Sequence, residues 1–379
     1  MKTTTFLLST LGLSASLSQA SDFSLDLNAH LNMTLGKGSV HESNFATHAH
    51  DPNSRFTVQG LELSASARYG EYLAGFVSVN SFIDQEDKVD AELEEAFLKL
   101  ENLPGGFEVR GGRMLARVGT QNNQHIHSWH FVDANLITTR FLGDEGLVSE
   151  GAELSYWLPF EHKSLLTIGY SNAVAHQHEH EEEEDHGGGH HDEHVEGEGA
   201  LLNDEIFNLR LKGIYQITDF RSVTYGASYL NGKNGYGKRG HIVGADTTYL
   251  WRENGIEAGG KHLRAIVEPI YRNFDYQNED GDVSGSASEW GIHTSVGYGF
   301  IDKWEAGLRY DYTQGVDEPV EELGKRHRIS AAVTRTFELH ELLSGHTRLQ
   351  YTHDRFESQN ENAIWLQVQF DLGTGGEIR

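Results

Sequence analysis

The residues most suited to chemistry form one run. From residue 176 the chain reads His-Gln-His-Glu-His-Glu-Glu-Glu-Glu-Asp-His-Gly-Gly-Gly-His-His-Asp-Glu-His, and acidic residues continue to Glu198. Its seven histidines are His176, His178, His180, His186, His190, His191 and His194. Neutral imidazole binds zinc, copper and nickel well, and neighbouring carboxylates add charge and further ligands. The three central glycines argue against a fixed geometry, so the chemistry expected is labile capture of a divalent metal. A charge run is usually only a solvated face. Acidity alone, however, does not require histidine at this density.

A second group lies at Gln124-His125-Ile126-His127-Ser128-Trp129-His130-Phe131-Val132-Asp133. In an extended chain His125 and His127 share a side; in a helical one His130 and Asp133 share a face. Taken singly, each is as readily a hydrogen-bonding residue in a packed loop. A third group is His41, His48 and His50 beside Asp51. Arginines surround the second group at Arg110, Arg113, Arg117 and Arg140, and others sit farther along at Arg210, Arg264 and Arg309. Such a set could bind anions, or face Glu62, Glu95 and Glu153 across a bore and set a transverse field. The balance of 57 acidic against 30 basic residues, a net charge of −27, favours cations, because an acidic surface concentrates them at its mouth. No phosphate-cradling loop, dinucleotide fingerprint or closed zinc motif is legible, and no nucleophile stands with a histidine partner in a recognisable constellation. The expectation is a protein that is not an enzyme, with no tightly bound cofactor, transient binding of Zn2+ or another divalent metal, and no nucleic-acid partner.

The elements that must hold these residues alternate with a period of two. Ile364, Leu366, Val368, Phe370 and Leu372 alternate with Gln367, Gln369 and Asp371; Leu61, Leu63, Ala65, Ala67 and Tyr69 alternate with Glu62, Ser64, Ser66 and Arg68. The stretches 204–217 and 303–314 repeat the pattern. Each set therefore occupies one face of a sheet. Charged residues in mid-strand would be rejected by the inner face of a sandwich. They suit a barrel with lipid outside and water inside. The composition agrees, with 42 glycines, 5 prolines, no cysteine and a mean hydropathy of −0.51. Aromatic residues gather near strand ends, as at Tyr69 and Tyr72, Tyr156 and Trp157, and Phe300 and Trp304, as in interfacial girdles.

The pattern predicts an all-β fold, a transmembrane antiparallel barrel of about sixteen strands. With the N-terminus periplasmic, the outward connections are 36–55, 84–91, 116–147, 175–203, 231–240, 275–286, 315–324 and 355–361. The inward ones are mostly tight, such as Gly70-Glu71, Thr218-Asp219 and Asp302; 253–261 and 338–345 are longer than expected. Sorting of loops by parity is the asymmetry of outer-membrane barrels. All three histidine groups then face the medium. Residues 1–20 read as a signal peptide, with Lys2, a short apolar stretch and Ser18-Gln19-Ala20 as the cleavage site. The barrel is expected over 21–379, without a plug domain ahead of it.

The run Glu95-Ala96-Phe97-Leu98, then Asn102-Leu103-Pro104-Gly105-Gly106, Gly112-Arg113-Met114, Asn123-x-His125-x-His127 and Phe131-Val132-Asp133 resembles a bacterial family of zinc-linked, porin-like outer-membrane proteins. Gly146-Leu147 and Gly151 to Pro159 continue the likeness, which covers roughly 90–160. The wider resemblance is to the superfamily of phosphate-selective porins O and P. It implies that loop 116–147 folds inward as a constriction, bringing His125, His127, His130 and Arg113, with Arg117 and Arg140 nearby, to the permeation path. Implied partners are the lipid bilayer, lipopolysaccharide and divalent metal ions, with a homotrimer reasonable at this size. The function expected is passive uptake of divalent metal, zinc above all. The alternatives are a general or anion-selective porin with an incidental histidine tract, and a surface metal buffer or adhesion protein for which the barrel is only an anchor.

Overall fold

A computed structural model describes residues 22–39, 47–48, 50–52, 54–83, 88–174, 197–257, 259–278, 283–316, 320, 323–357, 359–373 and 378. The segment read as a signal peptide, His41 and the histidine tract 176–194 lie outside the described residues.

Sixteen antiparallel strands close into one barrel among the described residues. In chain order they are β1 (Phe23–Gly38), β2 (Phe56–Tyr69), β3 (Leu73–Ile83), β4 (Val89–Leu103), β5 (Phe107–Leu115), β6 (Val148–Trp157), β7 (Lys163–Ala173) and β8 (Leu202–Thr218). They continue with β9 (Arg221–Asn234), β10 (Arg239–Arg252), β11 (His262–Gln277), β12 (Ser284–Ile301), β13 (Trp304–Thr313), β14 (Arg326–His340), β15 (Leu343–Phe356) and β16 (Gln359–Gly373). Each strand pairs with its sequence neighbours, and β1 closes the ring on β16, from Asn28 opposite Gly373 to Gly38 opposite Ala363. Closure leaves no unpaired edge, which a hydrocarbon surrounding would penalise at every free N–H and C=O.

The wall is inverted relative to a soluble protein. On β16, Ile364, Leu366 and Leu372 are exposed outward while Gln367 and Gln369 are buried inside. Leu98 on β4 and Leu308 on β13 are 63% and 64% exposed, whereas Glu62 on β2 and Arg328 on β14 are 0% exposed. Burying charge and presenting leucine outward is favourable only if the outside is lipid and the inside is polar. Exposed aromatics gather at both rims: Tyr69, Tyr72, Trp157, Phe160 and Trp304 by the short turns, and Phe56, Tyr170, Phe207, Tyr271 and Trp290 toward the long loops. The chain is a multi-pass β-barrel of the bacterial outer membrane.

Loop parity follows the prediction. The turns after β2, β8, β12 and β14 are Gly70–Tyr72, Asp219-Phe220, Asp302-Lys303 and Glu341-Leu342. The last is much tighter than the expected 338–345, because β14 and β15 stay paired to His340 and Leu343. The inward connection Glu253–Lys261 does stay long. At the outer rim several strands outrun the predicted spans. Asp275, Tyr276 and Gln277 of β11 still pair with Ser286, Gly285 and Ser284 of β12. Backbone pairing continues there after the apolar alternation has stopped, so hydropathy marks only the part of a strand that meets lipid.

Candidate functional site

The connection from β5 to β6, residues 116–147, lies inside the barrel. Its neck is tied by Asn122, whose side-chain amide donates to the Ala116 carbonyl at 2.7 Å and accepts from the Leu147 N–H at 2.8 Å. Gly146 passes this amide with φ +69°, and a Cβ there would lie 2.5 Å from Asn122 Oδ1, so no side chain fits. Within the loop a short helix, α1 (Leu136–Leu142), is capped by Asn135, whose side chain accepts from Thr138 N–H, and stops at Gly143. Ile137, Phe141 and Leu142 pack on a lumenal apolar patch made by Leu202 and Ile206 of β8, Leu230 of β9, Ile242 of β10 and Ile270 of β11. Burying side chains of this size stabilises by about 1.5–3 kcal/mol each, so this patch anchors the helical half of the loop. Val132 sits on Ala363 and Trp365 of β16.

Toward β2 and β4 the loop meets carboxylates. His125 Nδ1 lies 3.0 Å from Glu62 and 2.9 Å from Glu94, and its Nε2 lies 2.9 Å from Glu95. His127 Nδ1 lies 2.7 Å from Glu62, and its ring stacks on His30 of β1 at 3.7 Å. Strict alternation would send Glu94 and Glu95 to opposite faces of β4. A register shift opposite Ser78 and Val79 turns both inward. A second shift, opposite Asn32 and Met33, buries Gln59 inside β2, where its amide donates to the carbonyls of His50 and Val132 and so ties the first loop to the third. Both are β-bulges, which re-aim side chains beside functional sites. Above them His50 Nε2 lies 3.0 Å from Glu92 and 3.3 Å from Glu145. His48, His50 and Glu145 form one group able to hold a metal ion; His50, Glu92 and Glu94 form a second, and Glu62, Glu94 and His125 a third. Burial disfavours the charged form of His50, but Glu145 and Glu92 outweigh it and hold its pKa well above the ordinary histidine value. His125 is raised in the same way against its own burial, by Glu62 and Glu94.

Arginines occupy the other side. Arg309 of β13 and Arg328 of β14 donate to Asp133 Oδ2 at 2.6 and 2.7 Å, and Gln350 of β15 donates to Asp133 Oδ1. Burial works against ionised Asp133, yet the two guanidinium groups hold its pKa below the ordinary value. Arg348 of β15 donates to the Trp129 carbonyl and to Gln367. In the ring, the acids of β2–β4 and the arginines of β13–β15 lie on either side of β1 and β16, and the folded-in loop contacts both sets. Of the arginines singled out in the sequence, Arg113 lines the cavity beside His125, Arg117 donates to Ser155 at 3.2 Å, and Arg140 on α1 pairs with Glu289 at 3.0 Å. The structure brings His48, His50, His125 and His127 onto one side. It does not bring His130 and Asp133 to them: Asp133 is engaged by arginines, and His130 lies near Arg264 and Arg348. Glu62, Glu92, Glu94 and Glu145 were not singled out as metal ligands in the sequence, and the two bulges that turn strand residues inward leave no mark in a period-two pattern.

The lumen is thereby divided. An outer vestibule of about 810 Å³ is lined by α1 with Gly197, Leu201 and Arg326, and an inner one of about 660 Å³ by Arg252, Gly260, Lys303 and Arg348. Between them lie two small cavities. One of about 30 Å³ is lined by His48, His50, Glu92, Glu94, His125 and Glu145; one of about 40 Å³ is lined by Gln121, His130, Asp133, His293 and Arg309. Gly146 and Val148 are shared by the outer vestibule and the first cavity, Gln121, Gln124 and Trp129 by the two cavities, and Trp129 and His130 by the second cavity and the inner vestibule. Neighbouring spaces thus share lining residues from the outer rim to the inner one.

His130 is expected to make docking of the loop pH-dependent. Its pKa is pushed down to about 3 by burial and then by Arg264. A depressed histidine is neutral while the loop is docked and takes up a proton on release, so its contribution to docking is present above about pH 6.5 and lost as pH falls toward 3. Conductance fluctuations in planar bilayers are expected to grow as pH is lowered from about 6.5 to about 4, and His130→Gln to flatten that dependence.

Solved structures share this architecture. The outer-membrane channel DcaP of Acinetobacter baumannii superposes with a TM-score of 0.60 over 93% of this chain and 98% of its own, at 10% identity. An anion-selective porin from Comamonas acidovorans gives 0.54 over 93% and 100%, at 12% identity. The trimer form of OmpT, an outer membrane protein of Vibrio cholerae, gives 0.52 over 92% and 99%, also at 12%. The chain has the porin fold. No family model matches it. An uncharacterized protein of Aquifex aeolicus (strain VF5) is 36% identical over 74 residues, which is 20% of this chain and 16% of that protein.

Proposed function

We propose that this porin-fold barrel is a passive channel for small cations, chiefly divalent metal ions of the zinc class. The observation that carries this reading is the narrowing between the vestibules, where a cavity of about 30 Å³ is lined by imidazoles and carboxylates. A space of that size accommodates about one water or one ion stripped of most of its hydration shell. Only an ion whose water is replaced by ligands of comparable strength passes at low cost, and nitrogen with carboxylate oxygen is the set that zinc accepts. The histidine tract 176–194 would raise the metal concentration at the outer mouth, and association as a trimer is part of the same proposal.

The test is zinc entry into liposomes loaded with a zinc-responsive dye. At micromolar zinc the intact protein is expected to admit zinc several-fold faster than a variant lacking residues 176–198, with potassium conductance equal in both. Zinc entry no faster than in protein-free liposomes would remove the reading. One observation favours an anion-conducting alternative: Arg348, on the inner vestibule, has no carboxylate within ion-pair distance among the described residues. A chloride-biased reversal potential together with absent zinc entry would select that alternative.

A further inference from the structure

The first of the two small cavities carries more than a narrowing. We propose that His48, His50 and Glu145, with Glu92 and Glu94 of β4 flanking His50, hold one divalent transition-metal ion that joins the first loop, the third loop and β4. This deepens the channel reading, and its link to permeation rests on that reading.

The distances favour coordination over a simple hydrogen-bonded histidine. His50 Nε2 stands 3.0 and 3.3 Å from oxygens of Glu92 and Glu145. Two ligand atoms on a tetrahedral zinc, each about 2.0–2.1 Å from the metal, lie about 3.3 Å apart. Each of the two His50–carboxylate spacings therefore matches one edge of a zinc coordination tetrahedron. The ligand atoms of His48, His50 and Glu145 lie within 4.8 Å of one another, as do those of His50, Glu92 and Glu94. The imidazole and the carboxylates come from separate segments, and each of these residues lines the same cavity.

Charge points to a cation. Glu62, Glu92, Glu94, Glu95 and Glu145 cluster around His50, His125 and Arg113. Among the residues that line the cavity itself, three carboxylates, Glu92, Glu94 and Glu145, stand against one guanidinium, Arg113, which favours a cation there. Imidazole ligation selects against magnesium and calcium, which take oxygen ligands.

The test uses the full barrel in detergent with residues 176–198 deleted, so that the histidine tract cannot contribute. Cobalt(II) is titrated and followed by its visible absorption, then displaced with zinc. One cobalt per chain is expected, displaced by equimolar zinc and unaffected by millimolar magnesium or calcium. His50→Ala should weaken binding at least a hundredfold, and Glu145→Gln, which keeps the side-chain volume, should weaken it substantially. The heat-modifiable gel mobility of the folded barrel shows that each variant is intact. No stoichiometric cobalt in the deletion protein, or binding unchanged by His50→Ala, overturns the site. Zinc entry into liposomes, measured on the same proteins, separates the two claims. Binding without entry keeps the site and removes the cargo role; entry without binding does the opposite.

Discussion

Replacing Asp133 with alanine is expected to raise single-channel conductance several-fold while the barrel stays folded. Asp133 is the carboxylate at which Arg309 and Arg328 meet inside the lumen, and its other oxygen accepts from Gln350. Removing one partner from a buried ion pair leaves an uncompensated charge and typically costs about 3–5 kcal/mol. The loss here is moderated, since Arg328 keeps Asp354 at 2.6 Å and Arg309 keeps Asp311 at 3.3 Å. It falls on the loop rather than on the wall, because the strands hold each other by continuous backbone pairing. Within the loop the cost is local. Ile137, Phe141 and Leu142 remain on their apolar patch, so α1 should stay docked while 120–134 loosens. Water and ions then enter between the 40 Å³ cavity and the inner vestibule. Conductance in planar bilayers equal to that of the parent protein would mean that Asp133 does not hold the loop. Loss of heat-modifiable mobility would mean that it holds the barrel.

How far the sequence reveals this arrangement depends on the kind of interaction. The wall is legible because lipid imposes period two on every strand: Ile364, Leu366 and Leu372 face out and Gln367 and Gln369 face in, as the alternation requires. Loop parity is legible for the same reason, since only one rim carries long connections. The inside of the barrel is much less so. Ile206, Leu230, Ile242 and Ile270 occupy lumenal positions expected to be polar, and their reason is α1, which comes from a different part of the chain. Nothing local announces that pairing. His125 and His127 stand out in the sequence, but their carboxylates do not. Glu94 faces His125 only because a bulge breaks the alternation of β4, and Glu145 approaches His50 only because Asn122 closes the loop neck. Asp133 shows the reverse case. Its spacing from His130 is that of a metal-binding pair, yet arginines from two distant strands engage it.

Selectivity should change sign when the acidic side of the narrowing is neutralised. In a tenfold potassium chloride gradient the parent protein is expected to give a cation-selective reversal potential, and the triple variant Glu62→Gln, Glu94→Gln, Glu95→Gln an anion-selective one. Glutamine preserves volume and hydrogen-bonding capacity, so the change is chiefly one of charge. Three negative charges are removed. His125, whose raised pKa depends on Glu62 and Glu94, is expected to lose its proton in turn and offset one of them. The net change of two units acts in a narrow space where screening is weak, so it outweighs anything the exposed acidic loops contribute at the same salt. What then dominates is basic charge, Arg113 beside His125 and Arg264, Arg309, Arg328 and Arg348 on the strands farther round the loop. Equal reversal potentials in the parent and the triple variant would show that ions do not pass the His125 cluster, and the path would have to be sought along another side of the loop. An anion-selective parent would instead give the arginine wall control from the start. In that case the carboxylates beside His125 would serve to bind the loop and its metal, with transport left to the arginines.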